Sequence, residues 1–134
     1  MDQQSTQDTQ APAPPAPPLQ IVRDDDYTNL YANNLHTELS VWDLKVIFGI
    51  LDQSSQPNKI VQHTAINLPW AQVKLASYYL QVAVILHEAQ NARINIPVQL
   101  RPIDPSIIKQ ELADMPPEAK EKIANIYKSF MASL

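Results

Sequence analysis

The chain contains no cysteine, a single glycine and few charged residues. The first absence excludes disulfides, thiolate catalysis and cysteine-built zinc or iron–sulfur centres. The second excludes glycine-rich phosphate loops and the dinucleotide fingerprint, each of which needs several glycines. Charged side chains make up only 18% of the 134 residues, and the formal net charge is −4. The bases Lys45, Lys59, Lys74 and Arg93 are dispersed, so no basic stripe predicts a nucleic-acid partner. The longest apolar run, Leu75–Leu86, is interrupted by Ser77 and Gln81 and is too short and too polar to span a bilayer. No apolar h-region follows the N-terminus, so the expected location is cytoplasmic, with no membrane partner.

What the chain does contain is proline, 12 of them, and 45% hydrophobic residues. That apolar content and that length suit one domain with a core of its own. Five of the prolines (Pro12, Pro14, Pro15, Pro17 and Pro18) stand near the N-terminus. The five aspartates of residues 1–26 against Arg23 alone carry the whole net charge; the remainder of the chain is neutral. A stretch so polar and so rich in proline buries too little apolar surface to offset its ordering entropy. Residues 1–20 are therefore expected to be a disordered acidic tail with polyproline II character at 11–18, a solubilising spacer rather than a ligand for a partner domain. Ile21 and Val22 suggest a short strand after it, and Asp24–Asp26 a solvated turn.

From Leu30 to Val41 apolar and polar residues alternate: Tyr31, Leu35, Leu39 and Val41 share one parity, Asn34, His36, Glu38 and Ser40 the other. From Leu44 the parity flips, with Leu44, Val46, Phe48 and Ile50 apolar. A one-residue slip turns every side chain over, so a tight turn or a bulge must lie near Ser40–Asp43. Asp52–Asn58 reads as a loop and Ile60–Leu68 as a further strand ended by Pro69. Connections this short predict antiparallel pairing.

Residues 69–91 form the clearest helical pattern. Lys74, Ser77, Gln81 and Glu88 make a narrow polar stripe, and apolar residues cover nearly three-quarters of the circumference. A helix packed on one sheet needs a single apolar face, so this one predicts a second contact. Tyr78, Tyr79, Val82, Ile85 and Leu86 are the candidate oligomer face. Ile94, Ile96, Val98 and Leu100 alternate like another strand, confined to an edge by Pro97. Asp104-Pro105 predicts a helix to about Ala113, and Pro116-Pro117-Glu118 opens a second, with Ile123, Ile126, Tyr127, Phe130 and Leu134 on one face. The expected architecture is α+β: a small antiparallel sheet of three or four strands with one long helix over residues 21–100, and a C-terminal helical hairpin over 101–134.

Tyr31-Ala32-Asn33, the corner Ser40-Val41-Trp42-Asp43-Leu44 and Phe48-Gly49 resemble a small bacterial and archaeal family known as a domain of unknown function. In that family a serine caps the helix that here follows Leu68-Pro69-Trp70; Leu68 stands in its place, with Asn67 as a substitute one residue early. The resemblance covers under half of the chain and implies no activity. The strand–corner–strand and terminal-helix plan is also similar in topology to SecB-like export chaperones.

Chemistry is sparse. His36, His63 and His87 match no metal-binding spacing; the first two read as solvent-facing strand residues and the third as a helix C-terminal residue. Ser40, Asp43 and a histidine lack the glycine-rich backbone of an oxyanion hole. Asp43 is expected to accept backbone N–H bonds at the corner. Trp42 is expected to anchor the core, so that Trp42→Ala costs ~3–5 kcal/mol. Gly49 is expected to mark a bulge or a close backbone contact. Together with Tyr31, Asn33 and Phe48 these make up a structural corner. No cofactor, metal or catalytic set is expected. The sequence predicts a non-enzymatic protein-interaction module that homo-oligomerises through helix 69–91 and meets a further, unknown protein. An adaptor or chaperone binding apolar client segments, and a small enzyme, are the alternatives.

Overall fold

The computed structural model describes residues 17–107 and 112–134. Three strands, β1 (Asn34–Leu39), β2 (Asp43–Asp52) and β3 (Lys59–Pro69), form an antiparallel meander with β2 in the middle. The helix α1 (Trp70–Gln90) follows β3 without a loop, and α2 (Pro117–Ser133) closes the chain. The fold class is α+β, as the sequence pattern predicts.

The parity flip is a tight hairpin turn. Leu39 pairs with Leu44, and the Ser40 amide donates to the Asp43 carbonyl at 2.9 Å. Two-residue hairpins normally use turns with positive φ, yet no described residue has one. Ser40 replaces that geometry with its side chain: Oγ accepts the amides of Trp42 (3.1 Å) and Asp43 (2.9 Å) and lies 2.6 Å from Asp43 Oδ1, to which it donates. The roles are thus the reverse of the expected ones. Serine accepts the backbone N–H groups, and the aspartate orients the serine.

A second irregularity separates Phe48, opposite Thr64, from Gly49, opposite Gln62. His63 is the extra residue of this bulge. The bulge pushes β3 backbone against Gly49, where a Cβ would sit 2.7 Å from the Val61 carbonyl oxygen and 3.1 Å from Gln62 Cα. The central strand holds what core there is: Ile47, 8% exposed, and Gly49 are buried.

Several expected elements are absent among the described residues. Ile21 and Val22 are exposed and form no strand. The expected tail falls outside the described residues as far as residue 16; residues 17–20 are exposed and irregular. The alternating segment 94–100 is not a strand either. Pro97 removes a ladder donor, and Val98–Leu100 coil into a short 3-10 turn closed by the Leu100 amide on the Pro97 carbonyl at 2.9 Å. The sheet therefore has three strands. Asp104 does not open a helix; its Oδ1 accepts the Ser106 amide at 2.9 Å and its carbonyl that of Ile107 at 3.0 Å, a local turn. Residues 112–114 are a turn as well, while 108–111 lie outside the described residues. Among the described residues the expected C-terminal hairpin reduces to α2 alone.

Neither Leu68 nor Asn67 caps α1. Pro69 occupies the N-cap position, and no side chain bonds to the first free amides. The helix is joined to the sheet another way. The Ser40 carbonyl accepts the Trp70 indole N–H at 3.3 Å, so the hairpin corner holds the first residue of α1.

Candidate functional site

A 21-residue helix is about 31 Å long, and only its beginning rests on the sheet. Val73 and Ala76 are half-buried, and no residue of α1 is fully buried. Leu75, Tyr78, Val82, Ile85 and Ala89 recur at alternating spacings of three and four, with Tyr79 and Leu86 alongside. This is the heptad spacing of a helix–helix seam. Tyr78 is 62% and Ile85 65% exposed, Tyr79 and Leu86 are exposed and Val82 is half-buried. The two tyrosine rings meet edge to face with centroids 5.4 Å apart, which stiffens both. The expected oligomer face is therefore one continuous stripe, largely uncovered among the described residues. Among the described residues no helix is long and apolar enough to cross a membrane.

The corner residues divide by role. Asn33 extends the β1–β2 ladder with both its groups: its amide donates to the Gly49 carbonyl at 3.1 Å, and its Oδ1 accepts the Leu51 amide at 2.7 Å. Tyr31 contributes its backbone, since its carbonyl accepts His63 Nε2–H at 3.1 Å while His63 Nδ1 lies 2.9 Å from Thr64 Oγ1. His63, read from sequence as a solvent-facing strand residue, thus ties the segment before β1 to β3 across the central strand. Phe48 and His63 line a shallow cleft with Thr28, Leu30 and Ile66.

Trp42 overturns its expected role. It is 84% exposed at the tip of the hairpin, beside an equally exposed Val41. The two-residue turn projects this side chain away from the sheet, while Trp70 takes the bond to the corner. Trp42→Ala is accordingly expected to change the unfolding free energy of dilute protein by no more than about 0.5 kcal/mol. Urea denaturation followed by far-UV circular dichroism checks this; a loss of several kcal/mol would restore the core reading.

The carboxylates Glu38, Asp43, Asp52 and Glu88 each have a structural partner of their own. Glu38 faces Lys45 across β1 and β2 at 2.7 Å, and that hydrogen bond holds the Glu38 carboxyl below its ordinary range and the lysine above its own. Asp43 accepts the Ser40 hydroxyl. Asp52 accepts the Ser54 hydroxyl at 2.6 Å and amide at 3.0 Å, which lowers its pKa. Glu88 accepts the Ile94 amide at 2.9 Å. His87 lies in the last turn of α1, and His36 stands on β1, separated from His63 on β3 by the central strand. Among the described residues no group of three or more histidines and acids converges on a common point. The larger cleft, about 570 Å³, lies between α2 and the turns before it, lined by Asp104, Ser106, Leu112, Lys120 and Tyr127.

The chain matches no family model, no curated protein and no solved structure.

Proposed function

We propose that the protein is a non-enzymatic interaction module that assembles with copies of itself through α1. The observation that carries this reading is the uncovered stripe Leu75, Tyr78, Tyr79, Val82, Ile85 and Leu86 on a helix whose remaining surface is also largely apolar. Most helical stability in proteins comes from packing of an apolar face, and an exposed apolar patch of this kind marks a contact surface. Self-association supplies both the missing burial and the missing support for the helix. The likeness of the Tyr-Ala-Asn segment and the Ser-x-Trp-Asp corner to the domain-of-unknown-function family belongs to the same proposal. A cytoplasmic location is proposed with it.

A second reading, an adaptor or SecB-like chaperone for apolar client segments, is favoured by the sheet. The register sets Leu35, Leu39, Val46, Phe48, Val61 and Ile66 on one face, and Leu35, Leu39, Val61 and Ile66 are exposed. In this reading the assembled protein keeps an apolar face open to solvent.

Hydrogen exchange at two concentrations tests the proposal. Amides of residues 75–86 are expected to be protected at high concentration and to lose protection on dilution. Protection independent of concentration would show that the helix is stable without a partner and would remove the main support for assembly. Binding of a hydrophobic dye at high concentration, where the helices are paired, would favour the second reading.

A further inference from the structure

β3 is an edge strand, and the hairpin turn fixes which of its main-chain groups face outward. Ser40 and Asp43 form a hydrogen-bonded pair, closed by the Ser40 amide on the Asp43 carbonyl at 2.9 Å. Along an antiparallel ladder, bonded and non-bonded pairs alternate. Leu39 with Leu44, Thr37 with Val46 and Leu35 with Phe48 are therefore the non-bonded pairs of β1 and β2. Leu44, Val46 and Phe48 turn their main-chain groups to the other neighbour, where Leu68, Ile66 and Thr64 face them. The amides and carbonyls of Ala65 and Asn67 consequently point away from the sheet. Among the described residues no hydrogen bond beyond the β2 ladder reaches the main chain of residues 64–68.

The two edges of the sheet are defended differently. Natural edge strands are blunted by shortness, charge, proline or a bulge. β1 has 6 residues and includes Glu38. β3 has 11, and its only charge and its only proline stand at its two ends, Lys59 and Pro69. Between the bulge at His63 and Pro69 lies a regular, uncharged stretch in which Ala65, Ile66 and Asn67 are exposed. Outward groups in this ladder arrangement fit an extended backbone, and the stretch is its own complement. Two copies set antiparallel about Ile66 pair Ala65 of each with Asn67 of the other. Every outward amide and carbonyl between the bulge and Pro69 is then bonded. An axis at Asn67 would instead set Ala65 against Pro69, which has no N–H, and an axis at Ala65 would set Asn67 against the bulged His63. No like charges meet across the axis, so the symmetric pairing carries no repulsion. Thr64, Ile66 and Leu68 of both chains continue the apolar face begun by Val46 and Phe48. The chain itself thus supplies an occupant that matches the edge in length, charge and face.

We propose that β3 pairs with β3 of a second copy across a two-fold axis at Ile66, joining two three-stranded sheets into one of six strands. The inference shares with the self-association reading only the partner, a second copy; the surface and the observations behind it are different.

The absence of native cysteine gives a clean test. On the axis Ile66 faces its own copy as a non-bonded pair, with Cα atoms about 4.5 Å apart, within the span of a disulfide. Ile66 is 47% exposed, so its replacement disturbs little packing. The full-length Ile66→Cys chain is expected to give a covalent dimer of twice 15.1 kDa on mild oxidation. In the same register two copies of residue 64 or of residue 60 lie more than about 10 Å apart, so Thr64→Cys and Ile60→Cys are expected to give roughly tenfold less dimer. Ala65→Pro deletes an outward amide and spares the bonds to β2. Added to Ile66→Cys, it is expected to abolish the linkage with the far-UV circular dichroism retained. Equal linkage from all three cysteines, or linkage at Ile66 that survives Ala65→Pro, would overturn the proposal. No linkage at Ile66, in a protein whose solution mass is still a multiple of the chain mass, would overturn it while leaving assembly through α1 standing. A monomeric mass would overturn both.

Discussion

Tyr78→Glu combined with Ile85→Glu is expected to turn the protein into a monomer at micromolar concentration. Each substitution removes about 1.5–3 kcal/mol of apolar burial from the seam. Each also asks an unpaired carboxylate to leave water, at a further cost of several kcal/mol. Across a two-fold contact the same charges face one another, and their repulsion adds to the penalty. Since about 1.4 kcal/mol is a factor of ten, a loss of even 4–5 kcal/mol lowers the association constant by about three orders of magnitude. The helix should suffer as well, because α1 borrows its stability from packing. Sedimentation velocity reads the mass, and far-UV circular dichroism reads the loss of helix. Tyr78→Phe, which keeps the ring, should behave like the parent.

Gly49→Ala is expected to destabilise the sheet by about 1–3 kcal/mol, the usual cost of adding volume where packing is closed. The reason is backbone contact rather than conformational freedom, since Gly49 has no positive φ. The atoms that an added methyl would meet, the Val61 carbonyl oxygen at 2.7 Å and Gln62 Cα at 3.1 Å, belong to the main chain of the bulged strand and cannot rotate aside. Relief requires β3 to move off β2, which weakens the ladder on both sides of His63. A urea unfolding curve with an unchanged midpoint would contradict this account.

Strand parity, loop composition and helical periodicity were enough to read the meander, the turn at Ser40–Asp43 and the long helix, because each is a local pattern with a single cheap solution. Gly49 was legible for the same reason: a lone glycine in an apolar strand signals close backbone. Pattern and structure part where local periodicity is not enough. Segment 94–100 alternates like a strand, but Pro97 removes a ladder donor and Val98–Leu100 coil into a 3-10 turn. Asp104-Pro105 has the chemistry of a helix start, and Asp104 accepts the Ser106 amide as an N-cap does, yet residues 105–107 form only a turn and 108–111 lie outside the described residues. Trp42 departs from the burial its size suggests because the turn that carries it faces outward. Asn33 and His63 act through contacts with strand neighbours distant in sequence, 18 and 32 residues away, and no spacing rule announces those. The exposed apolar stripe of α1 follows from coverage beyond what one sheet needs, which is visible in the sequence of the helix itself.

The mass of the unmodified protein in solution is the most direct test of the central claim. Sedimentation equilibrium from sub-micromolar to tens of micromolar is expected to give a multiple of the 15.1 kDa chain mass, declining towards the monomer only at the dilute end. A single 15.1 kDa species across that range, with helix content unchanged, would contradict assembly through α1.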